Sequence, residues 1–184
     1  MYQYGRIVND TFVEDKNKKT IVYLVNDKYE KYSGKVKFEV KTFDGETLFK
    51  DTLVVKNLIN SVKRKYVEFD TDRFDIYLVA TFKVDGKEYK NYYSPKMWVK
   101  QTFESDYSVT KTQLSPTCAE VEVSANKFAK MVFLSMKDNF KYTYSDNYFD
   151  IEKGASHKVT VTCDEPFDIN NLTVTDYGKE TKNR

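Results

Sequence analysis

Nucleophilic, general-base and zinc chemistry are most often built from histidine and cysteine, and the 184 residues hold one histidine, His157, and two cysteines, Cys118 and Cys163. A triad or dyad needs a His within reach of its Ser or Cys. His157 opens an alternating run directly after a turn, which places it on a strand edge facing solvent. A zinc site needs three or four convergent ligands, and one His with two distant Cys do not make one. Cys163 shares the phase of Val159 and Val161 on a core face, whereas Cys118 shares that of Glu120 and Glu122 in water, so two reduced thiols are expected. They leave the redox compartment open. The six glycines are scattered as turn residues and form no phosphate-cradling loop, so no cofactor is called for. Carboxylates are plentiful, but no spacing singles out a glycosidase-like pair.

Aromatic residues are the remaining source of recognition chemistry. Tyr92, Tyr93 and Trp98 fall in one stretch, and Tyr142, Tyr144, Tyr148 and Phe149 in another; flat rings of this kind can stack on sugars, and Trp98, Tyr92 and Tyr148 are the candidate carbohydrate contacts. The competing expectation is that each tyrosine packs its ring on a core edge and lets its hydroxyl reach water. Lys16-Asn17-Lys18-Lys19 and Lys63-Arg64-Lys65 read as solvated turns, because acids interrupt them. Asn9-Asp10-Thr11 and Asn171-Leu172-Thr173 match the N-glycosylation pattern.

The elements that must position these residues are strands. Val, Ile, Thr and the aromatics make 72 of 184 positions, against 5 Ala and 8 Leu, a composition suited to pleated surfaces and poor for helices. Val36, Phe38 and Val40 alternate with Lys35, Lys37, Glu39 and Lys41, giving a strand with one face on a core. Asp44-Gly45 then predicts a type I′ hairpin into Glu46–Val55, and Asp85-Gly86 a second one joining Ile76–Val84 to Lys87–Tyr93. With Gly5–Val8, Thr20–Asn26 and Lys65–Phe69 there are seven strands before Pro95. Thr20–Asn26 is apolar on both faces, as a central strand is. The long run Lys35–Phe43 reads as an exposed edge suited to docking or dimerisation.

After Ser94-Pro95 and the polar Lys100-Gln101-Thr102 the pattern restarts: Tyr107–Leu114, Ala119–Val123, Ala129–Met136, Phe140–Tyr144, Tyr148–Ile151, His157–Cys163 and Leu172–Thr175. The expectation is an all-β chain of two tandem β-sandwiches, residues 1–102 and a smaller 103–184 that ends in a polar tail from Gly178. A (β/α)₈ barrel needs at least about 200 residues and does not fit. Thirty basic against 28 acidic residues give no field for nucleic acid. No apolar run approaches a membrane span. Met1 leads into polar Tyr-Gln-Tyr-Gly, unlike a secretion signal.

Particular stretches carry a resemblance. Val22-Tyr23-Leu24-Val25-Asn26-Asp27, Gly34 to Val40 and Phe43-Asp44-Gly45-Glu46 resemble the immunoglobulin-like domain that follows the catalytic barrel in β-mannosidases of glycoside hydrolase family 2. Asn126-Lys127-Phe128-Ala129-Lys130, Tyr144-Ser145-Asp146-Asn147-Tyr148-Phe149-Asp150-Ile151, Lys153-Gly154 and Asn171-Leu172-Thr173-Val174 are similar to the C-terminal immunoglobulin-like domain of those enzymes, where a "dNyFDl.pG" pattern recurs. Lys and Tyr are unusually frequent here, and Asp138–Tyr144 departs from the pattern, which keeps a related exo-glycosidase of the same family open.

The resemblance implies two immunoglobulin-like sandwiches from an enzyme that removes terminal β-linked mannose with retention, using two glutamates on a (β/α)₈ barrel. Those glutamates lie before the matching region, so no catalytic residue is carried over. The implied role is to dock on and stabilise the barrel, the implied partner; a contact between oligomer subunits is a further possibility of such a segment. A stand-alone carbohydrate-binding or adhesion module acting through its aromatics is the alternative reading. A self-contained enzyme is disfavoured, since the residues supply no site.

Overall fold

The computed structural model describes residues 5–9, 20–69, 72–84, 86–94, 104–138 and 140–182. The chain divides into two compact units, one drawn from residues 1–42 and 46–101, the other from 43–45 and 102–184. All strand pairings are antiparallel.

The first unit contains β1 (Gly5–Asn9), β2 (Thr20–Asn26), β3 (Tyr32–Thr42), β4 (Thr47–Leu58), β5 (Ser61–Val67), β6 (Ile76–Val84) and β7 (Lys87–Tyr93). They form a three-stranded sheet β1-β2-β5 and a four-stranded sheet β4-β3-β6-β7. Side chains alternate across each strand, so Val22, Leu24, Val36, Phe38, Val40, Leu53, Val55, Leu78 and Phe82 meet in one core. β2 is central and buried on both faces over most of its length, as its composition requires.

Three expectations change. β3 lies between β4 and β6, so Lys35–Phe43 is not an exposed edge; its alternation reports one wet face and says nothing of its lateral neighbours. Lys63-Arg64-Lys65 is not a solvated turn but the middle of β5. Val22 opposite Lys65 puts this lysine on the inner side, where its Nζ lies 2.5 Å from Asp51 Oδ2, donates to Thr52 O and sits over the Phe38 ring. An inward charge blunts an edge strand against further pairing. Third, Asp44-Gly45 does not make a type I′ turn. Only Gly45 takes positive φ (+87°), and the register slips between Val40 and Lys41, so a longer loop with one left-handed glycine joins β3 to β4. The hairpin from β6 to β7 closes with Val84 opposite Lys87 and Gly86 at φ +76°; Asp85 lies outside the described residues.

The second unit contains β8 (Tyr107–Ser115), β9 (Cys118–Ala125), β10 (Ala129–Met136), β11 (Tyr142–Tyr144), β12 (Phe149–Ile151), β13 (Ser156–Cys163), a 3-10 turn at Ile169–Asn171, β14 (Leu172–Thr175) and a short helix α1 (Tyr177–Lys182) where a polar tail was expected. Its sheets run β11-β13-β9-β8 and β12-β10-β14. The four-stranded sheet reproduces the A-B-E-D order of an immunoglobulin sheet. Val121, Val123, Val132, Leu134, Ile151, Val159, Val161, Ile169 and Leu172 fill the space between them. Lys111 on the edge strand β8 points inward like Lys65, donating to Leu172 O at 2.6 Å.

Candidate functional site

The segment Ser145–Asp150, which carries the sequence pattern, is built as a backbone clamp. Between Ala129 and Val132 β10 has one residue more than β12 opposite, and the extra residue, Met131, sits at φ +50°. Such a bulge strips the ladder of a partner. Asp150 replaces it: Oδ1 accepts from Met131 N at 2.9 Å and Oδ2 from Lys130 Nζ at 2.6 Å, in a pair only 8 % and 12 % exposed. Beyond Phe149 the amide of Asn147 takes over as strand, its Oδ1 accepting from Leu134 N at 2.9 Å and its Nδ2 donating to Leu134 O at 3.1 Å. Ser145 ties the same segment to the other sheet, exchanging bonds with Thr160. Tyr148 is held between these anchors at φ +63°. A left-handed tyrosine persists only where its surroundings over-determine it.

Tyr148 therefore projects outward, 61 % exposed, with its ring stacked on Phe133 at 5.4 Å. Its expected companions do not join it. Tyr142, Tyr144 and Phe149 pack against the second core; Tyr142 meets Phe167 edge-on at 5.3 Å, and Phe149 lies against the His157 ring. Tyr92 belongs to the first unit, half-buried on β7 beside Tyr77. Trp98 lies outside the described residues, as do Lys16 to Lys19 and Asp10 and Thr11 of the first glycosylation pattern. Asn171 of the second pattern is exposed in the 3-10 turn.

His157 is the second residue of β13, and its Nε2 lies 3.0 Å from Asp146 Oδ2 without hydrogen-bond alignment. Among the described residues it makes no hydrogen bond to a serine or cysteine. Cys118 and Cys163 are free thiols on paired strands, with Cys118 opposite Thr162, so their side chains leave opposite faces. No group of three or more His, Cys, Asp or Glu among the described residues could hold a metal. No helix among them is long and apolar enough to cross a membrane.

What this unit perturbs is tyrosine ionisation. Burial, helped by the Asp176 carboxylate, pushes the Tyr107 phenol far up; burial and the hydrogen bond to Asp138 push Tyr142 up to about 12; burial raises Tyr144. Each folded value lies above the unfolded one near ~10. Their stabilising contribution is thus complete below pH ~10 and is lost as pH rises through the folded values. On alkaline titration followed at 295 nm, these three phenols should ionise late, and the second unit should lose near-ultraviolet dichroism from about pH 10 upward. A single reversible step for all fifteen tyrosines with the fold intact would contradict this.

The geometry has parallels among known proteins. Residues 104–177 match the family model Ig_mannosidase, described as an Ig-fold domain. No curated protein matches the chain. Among solved structures, a β-D-mannosidase from Dictyoglomus thermophilum superposes with a TM-score of 0.63 at 16 % identity, over 95 % of this chain and 21 % of that one. An exo-chitosanase from Amycolatopsis orientalis, a complex with PNP-β-D-glucosamine, does so with a TM-score of 0.55 at 13 % identity, over 95 % and 25 %. The chain spans about a quarter or less of the length of these enzymes. At such identities the superpositions speak for the fold of both units, and the family match speaks for the second: residues 104–177, an immunoglobulin-like sandwich, are similar to the Ig-fold domain that the Ig_mannosidase model describes.

Proposed function

We propose that the chain is the non-catalytic C-terminal region of a family 2 glycoside hydrolase of β-mannosidase type, and that its two sandwiches dock on the catalytic (β/α)₈ barrel and stabilise it. The observation that carries this reading is coverage: 95 % of the chain, and so both units, superposes on a β-D-mannosidase that is about four and a half times as long. The site geometry agrees with it. Asn147 and Ser145 spend their polar groups on backbone partners, and Asp150 divides its carboxylate between the Met131 amide and Lys130, which is the chemistry of a scaffold. The parent would hydrolyse terminal β-mannosides with retention. The pure 184-residue protein should give no release of p-nitrophenol from the aryl β-mannoside above the buffer rate, whereas the complete reading frame should. Turnover by the isolated chain, or a complete reading frame without a barrel, would overturn the proposal.

A second reading, a stand-alone carbohydrate-binding module, draws on one observation, the outward Tyr148 ring on Phe133. It requires saturable binding of a neutral mannan oligosaccharide that Tyr148→Ala abolishes.

A further inference from the structure

The outer face of the β4-β3-β6-β7 sheet, turned away from the first core, holds an open groove of about 510 Å³ lined by Gly34, Lys35, Lys37, Glu39, Thr81, Phe82, Lys83, Glu88 and Lys90. Four ammonium groups face two carboxylates there. Register explains how they meet. Lys37 stands opposite Thr81, which stands opposite Lys90, so two lysines on alternate strands flank one small hydroxyl residue, their Cα atoms about 10 Å apart. Lys35 and Lys83 lie one pleat further along. Both carboxylates have cationic neighbours: Glu88 lies 3.6 Å from Lys83 and Glu39 lies 3.5 Å from Lys41, a lysine outside the lining. Lys35 and Lys37 have no carboxylate within ion-pair distance among the described residues.

Clustering like charges on neighbouring strands costs stability, and an anion seated over Thr81 would offset that cost. The volume falls in the range of small-molecule and oligosaccharide sites. The two glutamates at the rim narrow the choice of anion. An acidic peptide would bring one carboxylate against Glu39 and Glu88 for each backbone N–H it can donate, whereas an acidic sugar carries several hydroxyl groups per acidic group that those carboxylates can accept from. We infer that this groove binds an anionic oligosaccharide, with Lys37 and Lys90 clamping its acidic group over Thr81 and Lys35 and Lys83 extending the positive track. The choice of a sugar rests on the glycosidase reading above; the charge of the groove does not.

The test is a titration of the 184-residue protein, followed by amide resonances, with hexagalacturonate (carboxylate), a heparin hexasaccharide (sulfate), β-1,4-mannohexaose (neutral) and hexaglutamate. At least one of the two acidic sugars should give saturable shifts confined to residues 34–39, 81–83 and 88–90, and comparing the two distinguishes carboxylate from sulfate as the acidic group. Lys37→Gln with Lys90→Gln should weaken binding at least about tenfold while the thermal midpoint of the free protein holds or rises. Raising ionic strength from about 0.02 to 0.2 M should weaken it as well. Mannohexaose or hexaglutamate binding as tightly, shifts centred elsewhere, or no saturation by either acidic sugar overturns the proposal. The hydrolysis assay on the complete reading frame is independent of all these outcomes, so a failed glycosidase reading and a failed groove are told apart.

Discussion

Asp150→Ala should destabilise the second unit by about 3–5 kcal/mol, the range for removing one partner of a buried ion pair. The carboxylate is 8 % exposed and serves two groups at once. Its loss strands the Lys130 ammonium without the carboxylate it faces and removes the acceptor of Met131 N, the amide that the bulge leaves without a strand partner. For a unit of this size, with a urea slope of about 1 kcal/mol/M, the transition should move down by roughly 3–5 M, while first-unit amides such as those of Phe38 and Leu78 keep their exchange protection. Asp150→Asn retains an acceptor for Met131 and should fall between. Lys130→Met in the Asp150→Asn background should recover part of the loss, and that coupling is the signature of the pair. A shift below about 1 kcal/mol for Asp150→Ala would mean that the bulge is held by the core alone.

This clamp shows where sequence reasoning stops. Strand positions were legible because burial imposes a period of two: Val36, Phe38 and Val40, or Val159 and Val161, announce a face without any knowledge of what covers it. Lateral order was not legible. Whether β3 is an edge depends on β6 arriving from some thirty-five residues away, and nothing in Lys35–Phe43 records that. The expected strand Lys65–Phe69 starts four residues after β5 does and ends two beyond it, because Lys63 and Lys65 stand opposite the buried Leu24 and Val22 and reverse the apolar-in pattern at the edge, where an inward charge is useful. Asn147 and Asp150 were visible only as members of a family pattern. Their work is to replace missing backbone partners, and a side chain that imitates a strand leaves no hydrophobic period. The aromatics of the second unit divide for the same reason: Tyr148 turns outward through its left-handed backbone, which composition cannot foresee, while Tyr142 and Tyr144 follow the ordinary rule and pack.

Asp176→Ala should cost the second unit about 2–4 kcal/mol, more than an exposed helix cap, because the carboxylate is fully buried and three donors lose their acceptor. Ser105 Oγ donates to Oδ2 at 2.7 Å, and the amides of Gly178 and Lys179 donate to Oδ1 at 2.7 and 3.2 Å. Those two amides are the second and third of α1, so Asp176 stands at its N-cap. Six residues with an internal glycine do not hold a helix unaided. α1 stays against β10 through this cap and through Lys179, whose Nζ lies 3.6 Å over the Tyr107 ring. Ser105 precedes β8 and Asp176 follows β14, so one buried carboxylate joins the first and last strands of the unit. The variant carries a second readout that a loss of packing alone would not give. Asp176 is one of the groups holding the Tyr107 phenol high, so in Asp176→Ala this phenol should titrate earlier in the alkaline series while Tyr142, kept up by burial and Asp138, does not move. Asp176→Asn keeps the cap but removes the charge; it should recover most of the stability and still let Tyr107 ionise earlier. Equal stability of the alanine variant and the parent, or an unmoved Tyr107, would show that α1 is tied down by other contacts.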